Sequence, residues 1–322
     1  MSLKNRSVLV TGGAGFIGSH LVDVLTREEP ESLVVVDNLF LGKDENLKEA
    51  CITYPDLKIY HDDAADYEQM KALMERECID VAFNLAVIPL PASLEQPVWT
   101  FRQNVDMVAA MCELARNDVY ETLIHFSSSE VYGSSIYAPM DENHPLNATT
   151  PYAASKAAGD LMIFSYCRTF GLDMSIIRPF NNYGPRQNER SYAGVIPLTI
   201  QRILRNEPPV IYGDGKQTRD YLYVTDTARA AIDVYNTPST RNRVLNIASG
   251  KEVSIEYIIR FIARYFGCED KILYQAERPG DVRRHIANTY MAKDLIDFKP
   301  HVTFDEGLVR TIEWYEQYMR QK

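Results

Sequence analysis

The sequence predicts an α/β fold, a Rossmann-type doubly wound parallel sheet with a smaller, interleaved substrate domain in the C-terminal half. Three observations predict it. Short β-branched runs alternate with longer helical patterns through the first half of the chain. The runs SVLV and LVVV are apolar throughout, as strands buried on both faces are. A glycine-rich turn, TGGAGFIG, stands between the first run and the first helical pattern.

Strands are expected at Ser7–Thr11, Leu33–Asp37, Leu57–Tyr60, Val81–Leu85, Thr122–Ser127 and Asp173–Arg178. Between them Ile17, Leu21, Val24 and Leu25 fall at i, i+4, i+7 and i+8, one face of a helix. Val98, Phe101, Val105, Val108 and Cys112 mark a longer helix in the same way. Such strand–helix alternation builds a parallel sheet with helices on both faces. After Arg178 the rhythm changes. Proline and glycine cluster in RPFNNYGPRQ, Pro208–Pro209 and YGDGKQTRDY, loops of the kind that carry function. One more strand, Val244–Ala248, and a helical pattern at Leu308, Ile312 and Tyr315 follow. No repeat, low-complexity tract or linker separates the halves. The expected division is therefore interleaved: 1–178 plus 224–251 in the sheet domain, 179–223 plus 252–322 in the other.

Composition narrows the function classes. A chain of 322 residues holds two domains or one large one. With 34 Lys and Arg against 44 Asp and Glu, the net charge of −10 argues against a nucleic-acid binder that works by bulk charge. No apolar run approaches the roughly 18 residues of a membrane span. The opening residues run straight into a strand, without a secretory pattern. Cys51, Cys78, Cys112, Cys167 and Cys268 are scattered, with no CxxC pair, and read as reduced, mostly buried thiols. A cytoplasmic setting is expected. The six histidines show no metal-ligand spacing, so no metal is expected, and His125 reads as a satisfied core residue.

In the glycine turn, Gly12 permits a tight bend, Gly15 lets a diphosphate approach the backbone, and Gly18 lets helix and strand pack closely. Phe16, Ile17 and Gly18 open the helix, whose free N–H groups and dipole favour an anion. The bland alternative is a tight βα turn that binds nothing. Asp37 lies 19 residues past Gly18, where a carboxylate bonds the ribose of NAD and repels the 2′-phosphate of NADP. Asn38 and Leu39 follow, with no arginine for that phosphate; a capping aspartate is the alternative. Asp63 and Ala64, after the third strand, are expected near the adenine.

Thr150-Pro151-Tyr152-Ala153-Ala154-Ser155-Lys156 is the next informative segment. Thr150 suits an N-cap and Pro151 the first helical position. Tyr152 and Lys156, at i and i+4, then share a helix face. An ammonium close by, with a charged nicotinamide, is expected to lower the tyrosine pKa from its usual value near 10. Tyr152 would then take a proton from a sugar hydroxyl as hydride leaves.

TGGAGFIG, VVVDN, FNLA, QNVD, FSSSEVYG, PYAASK, RPFNNYGPRQ, GDGKQTRDYLYVTD and RPGDVRR run nearly end to end through the chain. Together they resemble the extended short-chain dehydrogenase/reductase family, the NAD-dependent epimerases and dehydratases of nucleotide sugars. The resemblance implies that Ser128 holds the C4 oxygen beside Tyr152 and that Lys156 also bonds the nicotinamide ribose. It implies that Asn104 and the Leu85–Ala86 backbone line the cofactor. Asn181, Arg219 and Arg278 would bind the substrate diphosphate, with Asp281 near the nucleotide ribose. Arg186, Val195 and Tyr212 are further candidates for the substrate. Asn84 stands where the family usually has histidine, and Val87-Ile88-Pro89-Leu90-Pro91 is an unusual stretch near the sugar. Arg186, Arg190, Arg219, Arg278, Arg283, Arg284 and His285 concentrate positive charge in the second region, as a diphosphate site needs. Two or three of those six arginines are expected merely to pair with acidic neighbours.

The family shares oxidation at C4 and differs in the later steps. Glu130, just before Val-Tyr-Gly, looks like the 4,6-dehydratases and the UDP-glucuronate decarboxylases. In a dehydratase this glutamate removes the C5 proton, and a neighbouring acid protonates the departing C6 hydroxyl. Ser129 stands at that acid's place and can only relay a proton, unless Glu130 serves both roles in turn. Against this, Tyr192–Pro197 and RPGDVRR resemble UDP-sugar 4-epimerases. An NDP-hexose 4,6-dehydratase is the leading expectation and a 4-epimerase acting on a UDP-sugar the alternative. A decarboxylase is third and needs a cation such as Arg186 or Arg283 near C6. An NAD-binding protein without turnover would usually lack the Tyr–Lys pair. The two long helices imply, by the same resemblance, a homodimer.

Overall fold

The computed structural model describes residues 1–188, 194–277 and 283–320. Its strands are β1 Ser7–Thr11, β2 Ser32–Val36, β3 Lys58–Tyr60, β4 Val81–Asn84, β5 Thr122–Phe126 and β6 Asp173–Pro179. There follow β7 Asn181–Tyr183, β8 Val210–Tyr212, β9 Thr218–Tyr223, β10 Val244–Ile247, β11 Glu252–Ser254, β12 Leu273–Gln275 and β13 Arg284–His285.

Seven strands form one sheet in the order β10-β6-β5-β4-β1-β2-β3, every pair parallel. This is the Rossmann-type architecture that the alternating pattern predicts. Both faces are covered, which explains the unbroken apolar runs. Val8 and Val10 of β1 pack on one side with Leu21, Leu25 and Val35. Leu9 points to the other side, among Val34, Met70, Met111 and Leu123. The chain winds from β1 through β2 to β3, then crosses back to β4 on the far side of β1. The direction of winding reverses between β1 and β4, and a crevice opens outside the carboxyl ends of the strands there.

The second region carries a smaller sheet, β11-β9-β13 with β7 also on β9, and a separate β12-β8 pair. Its core gathers Tyr183, Ile196, Ile200, Ile258, Ile262, Leu308, Ile312 and Tyr315. One stretch departs from the division expected at residue 252. Ala292 and Phe298 pack into the core of the large sheet, because the helix Tyr290–Ile296 lies against β10, its edge strand.

No described helix is long and apolar enough to cross a membrane. Cys112, Cys167 and Cys268 are buried, Cys51 and Cys78 are exposed, and all five are free thiols.

Candidate active site

The glycine turn begins where β1 ends. Gly12 has a φ of +69°, and a Cβ there would lie 2.7 Å from the Ala86 nitrogen. A Cβ on Gly18 would collide with the Gly12 carbonyl. Both positions are closed to side chains because helix, strand and the β4 loop meet at this turn. The helix Phe16–Leu25 starts with no side-chain cap and no acidic residue in its first turn, so its leading N–H groups and dipole remain for an anion.

A cavity of about 340 Å³ lies over this helix end. Gly12, Gly15, Phe16, Ile17, Gly18, Asp37, Asn38, Asp63, Ala64, Leu85 and Ala86 all line it. At its other end it is lined by Ser128, Tyr152 and Lys156. Asp37 is oriented by the glycine turn and by its own loop: Oδ2 accepts from the Ala14 N–H (3.0 Å) and Oδ1 from the Leu39 N–H (2.8 Å). An uncapped helix end, a cradle without side chains and a buried carboxylate beyond β2 fit a dinucleotide with free ribose hydroxyls.

Thr150 caps the helix Pro151–Phe170, its Oγ1 accepting from the Ala153 N–H at 3.1 Å. That helix delivers Tyr152 and Lys156 to the cavity. Their coupling differs from expectation. Burial pushes the Tyr152 phenol up to about 12, against the hydrogen bond from Ser128, and Glu130 adds to the rise. Lys156 does not offset this, because its Nζ donates to the Phe126 carbonyl at the end of β5 (2.5 Å). Burial lowers Lys156 to about 8, against the pull of Asp160.

Ser128 ends the strand β5 loop and caps the short turn Ser129–Tyr132, its Oγ accepting from the Glu130 N–H (3.2 Å). Glu130 is largely buried, which raises its pKa, while Arg219 opposes the rise. Its charge also raises the Tyr152 pKa, though its own side chain lines neither cavity. Ser129 is buried beneath the turn and lines neither major cavity. Its backbone is instead hydrogen-bonded by His285, a ring that burial holds neutral with a pKa of about 4.

A second cavity, about 330 Å³, is lined by Asn181, Val195, Tyr212 and Arg219. Asn182 and Gln187 line both cavities. The Asn181 Nδ2 is buried without a partner among the described residues, a donor ready for a ligand oxygen. Arg278 and Asp281 lie outside the described residues.

Several expected contacts are not made. Arg186 turns away from both cavities: Nη1 meets Asp23 Oδ2 at 2.7 Å, and the side chain is only 13% exposed. The neighbouring Pro185 carbonyl meets His20 Nε2 (3.0 Å), so this turn docks on the first helix. Arg283 pairs with Asp214 and Arg284 with Glu252. Three of the six arginines are thus held by carboxylates. Asn104 stays off the cavity; it brackets the Ile88 backbone (2.7 and 3.0 Å) and donates to Ser155. It shapes the loop after β4. His125 is only half satisfied: Nδ1 meets Asn84 at 3.2 Å, and Nε2 has no partner among the described residues.

Sequence reasoning missed a buried network behind Lys156. Arg178 binds Asp160 through Nε (2.9 Å) and Nη2 (2.8 Å), and donates to the Tyr132 hydroxyl (2.9 Å). Tyr132 in turn donates to Asn246 Oδ1 (2.7 Å). The i+4 spacing of Lys156 and Asp160 was the available signal.

A family model described as GDP-mannose 4,6 dehydratase matches residues 9–311. A UDP-glucose 4-epimerase of Mycolicibacterium smegmatis is 33% identical over 95% of this chain and 97% of its own. Among solved structures, a UDP-N-acetylglucosamine 4-epimerase from Methanobrevibacter ruminantium, in complex with UDP-N-acetylmuramic acid, is 37% identical. It superposes with a TM-score of 0.89 over 98% of this chain and 100% of that one. DesIV, a dTDP-glucose 4,6-dehydratase from Streptomyces venezuelae with NAD and TYD bound, is 30% identical. Its TM-score is 0.89 over 98% of each chain.

Proposed function

This chain belongs to the GDP-mannose 4,6-dehydratase family, and we propose that it is an NDP-hexose 4,6-dehydratase. Its cofactor is NAD, as for DesIV. When bound, NAD supplies a pyridinium that accepts hydride from C4 and favours the Tyr152 phenolate by its charge. Ser128 holds the C4 oxygen and, through its hydrogen bond, helps Tyr152 towards ionisation. Tyr152 takes the C4 hydroxyl proton. Lys156, anchored on the Phe126 carbonyl, fixes the ribose side of the site. Asn181 and Arg219, in the second cavity, bind the diphosphate of the nucleotide sugar, and Tyr212 and Val195 flank the nucleotide.

One observation carries dehydration over simple epimerisation. Glu130 is a largely buried carboxylate two residues after Ser128, and its charge reaches Tyr152, which supports its acting on the sugar beside C4. Burial raises its pKa, which suits a group that must take a proton at C5 and give one back. A 4-epimerase needs no such acid, since it only turns the ketone over and returns the hydride. Epimerisation is favoured as a second reading by the 33% and 37% identical relatives. Decarboxylation loses ground, because Asp23 and Asp214 occupy Arg186 and Arg283.

The deciding experiment incubates the protein with UDP-, GDP- and dTDP-hexoses and reads the products by mass. Loss of one water supports the dehydratase. Unchanged mass with a new C4 configuration replaces it with the epimerase, and loss of carbon dioxide with the decarboxylase.

We also propose a homodimer. The helices Pro97–Arg116 and Pro151–Phe170 pack side by side, and Val98, Phe101, Leu161 and Phe170 remain exposed on them. A second copy of the same face would cover these apolar side chains. The setting we infer is cytoplasmic.

A further inference from the structure

Two exposed aromatic rings meet beside the dinucleotide cavity, Phe40 lining it and Trp99 packing on Phe40. β1 lies between β4 and β2, so the glycine turn after β1 is flanked by the loop after β2 and by the segment after β4. Phe40 belongs to the first bank and Trp99, in the opening turn of the helix Pro97–Arg116, to the second. Their ring centroids are 5.7 Å apart with planes inclined at 50°. The contact therefore spans the carboxyl end of β1.

Phe40 and Leu41 line the cavity, yet they are 48% and 42% exposed, and Trp99 is 37% exposed. The loop is built to present them. Leu39 sits at a φ of +57°, a conformation a bulky side chain adopts only when its surroundings impose it. They do so here: its N–H donates to Asp37, that of Phe40 to Asn38 Oδ1 (3.1 Å), and that of Lys43 to the Ala14 carbonyl (3.0 Å). Leu39 itself packs against the core, and Phe40 is turned outward over the cleft.

Phe40 lines the cavity together with Asp37, Asn38 and Asp62–Ala64, away from Tyr152, and Trp99 reaches it through Phe40. In a dinucleotide fold that end takes the adenosine half, whose flat base is the partner that exposed aromatic rings recognise. We propose that Phe40 and Trp99 form an aromatic strap that holds the adenosine half of NAD in the cleft and slows its exchange. The chemistry gives the strap a purpose, because a cofactor that is reoxidised within each cycle has no need to leave. The proposal rests on the NAD assignment alone and is independent of which sugar reaction is run.

The test uses the full-length protein, Phe40→Ser, Trp99→Leu and the double variant. Each is loaded with radiolabelled NAD, chased with unlabelled NAD and desalted at intervals. The expected result is release at least tenfold faster from either single variant. The double variant should be no more than about twofold faster than the faster single one, since the strap needs both rings. A Trp314→Phe background leaves Trp99 as the sole tryptophan, the chain having two; its emission should change on adding NAD. Release within twofold of the parent in both single variants overturns the strap, as does an emission that ignores bound NAD. A shift in sedimentation without faster release also overturns it, and makes the rings part of an interface between copies. Failure of the parent to bind NAD removes strap and cofactor together, whereas NAD binding without sugar turnover sinks only the dehydratase.

Discussion

Glu130 and Lys156 show how burial tunes single residues in this cleft. Glu130→Gln keeps the shape of the side chain and removes its proton chemistry. The expected result is a loss of water elimination by about 100-fold or more, while the absorbance of reduced nicotinamide still rises on mixing with substrate. Elimination at the parent rate would refute the role of Glu130. Lys156 carries a signature in stability. Its folded pKa of about 8 lies below the ordinary value of 10.5. Between those values the unfolded chain binds a proton that the folded one does not, so this group makes the parent more stable as pH rises through that window. Lys156→Met lacks the effect. Its melting temperature relative to the parent should therefore fall between pH 7 and pH 9.5, by a free-energy difference of roughly 2 kcal/mol. A difference that stays constant with pH would show that Lys156 is not buried as described.

At the scale of elements, the helix Pro151–Phe170 places the reactive pair, and its first turn depends on Thr150. Thr150→Ala removes the acceptor for the Ala153 N–H and should cost about 1 kcal/mol. A thermal melt should show a drop of about 1–3 °C. Turnover should fall further than this small loss explains, because Tyr152 lies two residues from the cap. Unchanged turnover would mean that the rest of the helix positions Tyr152 unaided. The turn Pro185–Arg186 illustrates the opposite case. Its composition suits a substrate loop, yet Asp23 and His20 tie it to the first helix. Its work is to hold the second region against the glycine-rich end of the first.

At the scale of the whole molecule, the two cavities share Asn182 and Gln187 in their linings, and in the proposed reaction cofactor and substrate would meet at this seam. The face built by the two long helices is remote in sequence from the glycine turn but belongs to the same domain. Placing a charge there, with Val98→Glu and Leu161→Glu together, should convert a dimer into a monomer in analytical ultracentrifugation without unfolding it. A parent that sediments as a monomer would remove the dimer.

The parallel sheet, the glycine turn, Asp37 and the Tyr152–Lys156 helix were legible in the residues alone, because each is a local matter. Buried strands show as apolar runs, a helix face shows as its period, and a cap or tight turn needs particular residues within a few positions. Which charges are free to act became visible only in the folded chain. Asp23 claims Arg186, Asp214 claims Arg283, the Phe126 carbonyl claims Lys156 and Asp160 claims Arg178. Each of these partners except Asp160 is distant in sequence from the group it claims. Ion pairs and burial depend on distance in space, and the pattern of residues along a chain does not contain that distance until the chain is folded.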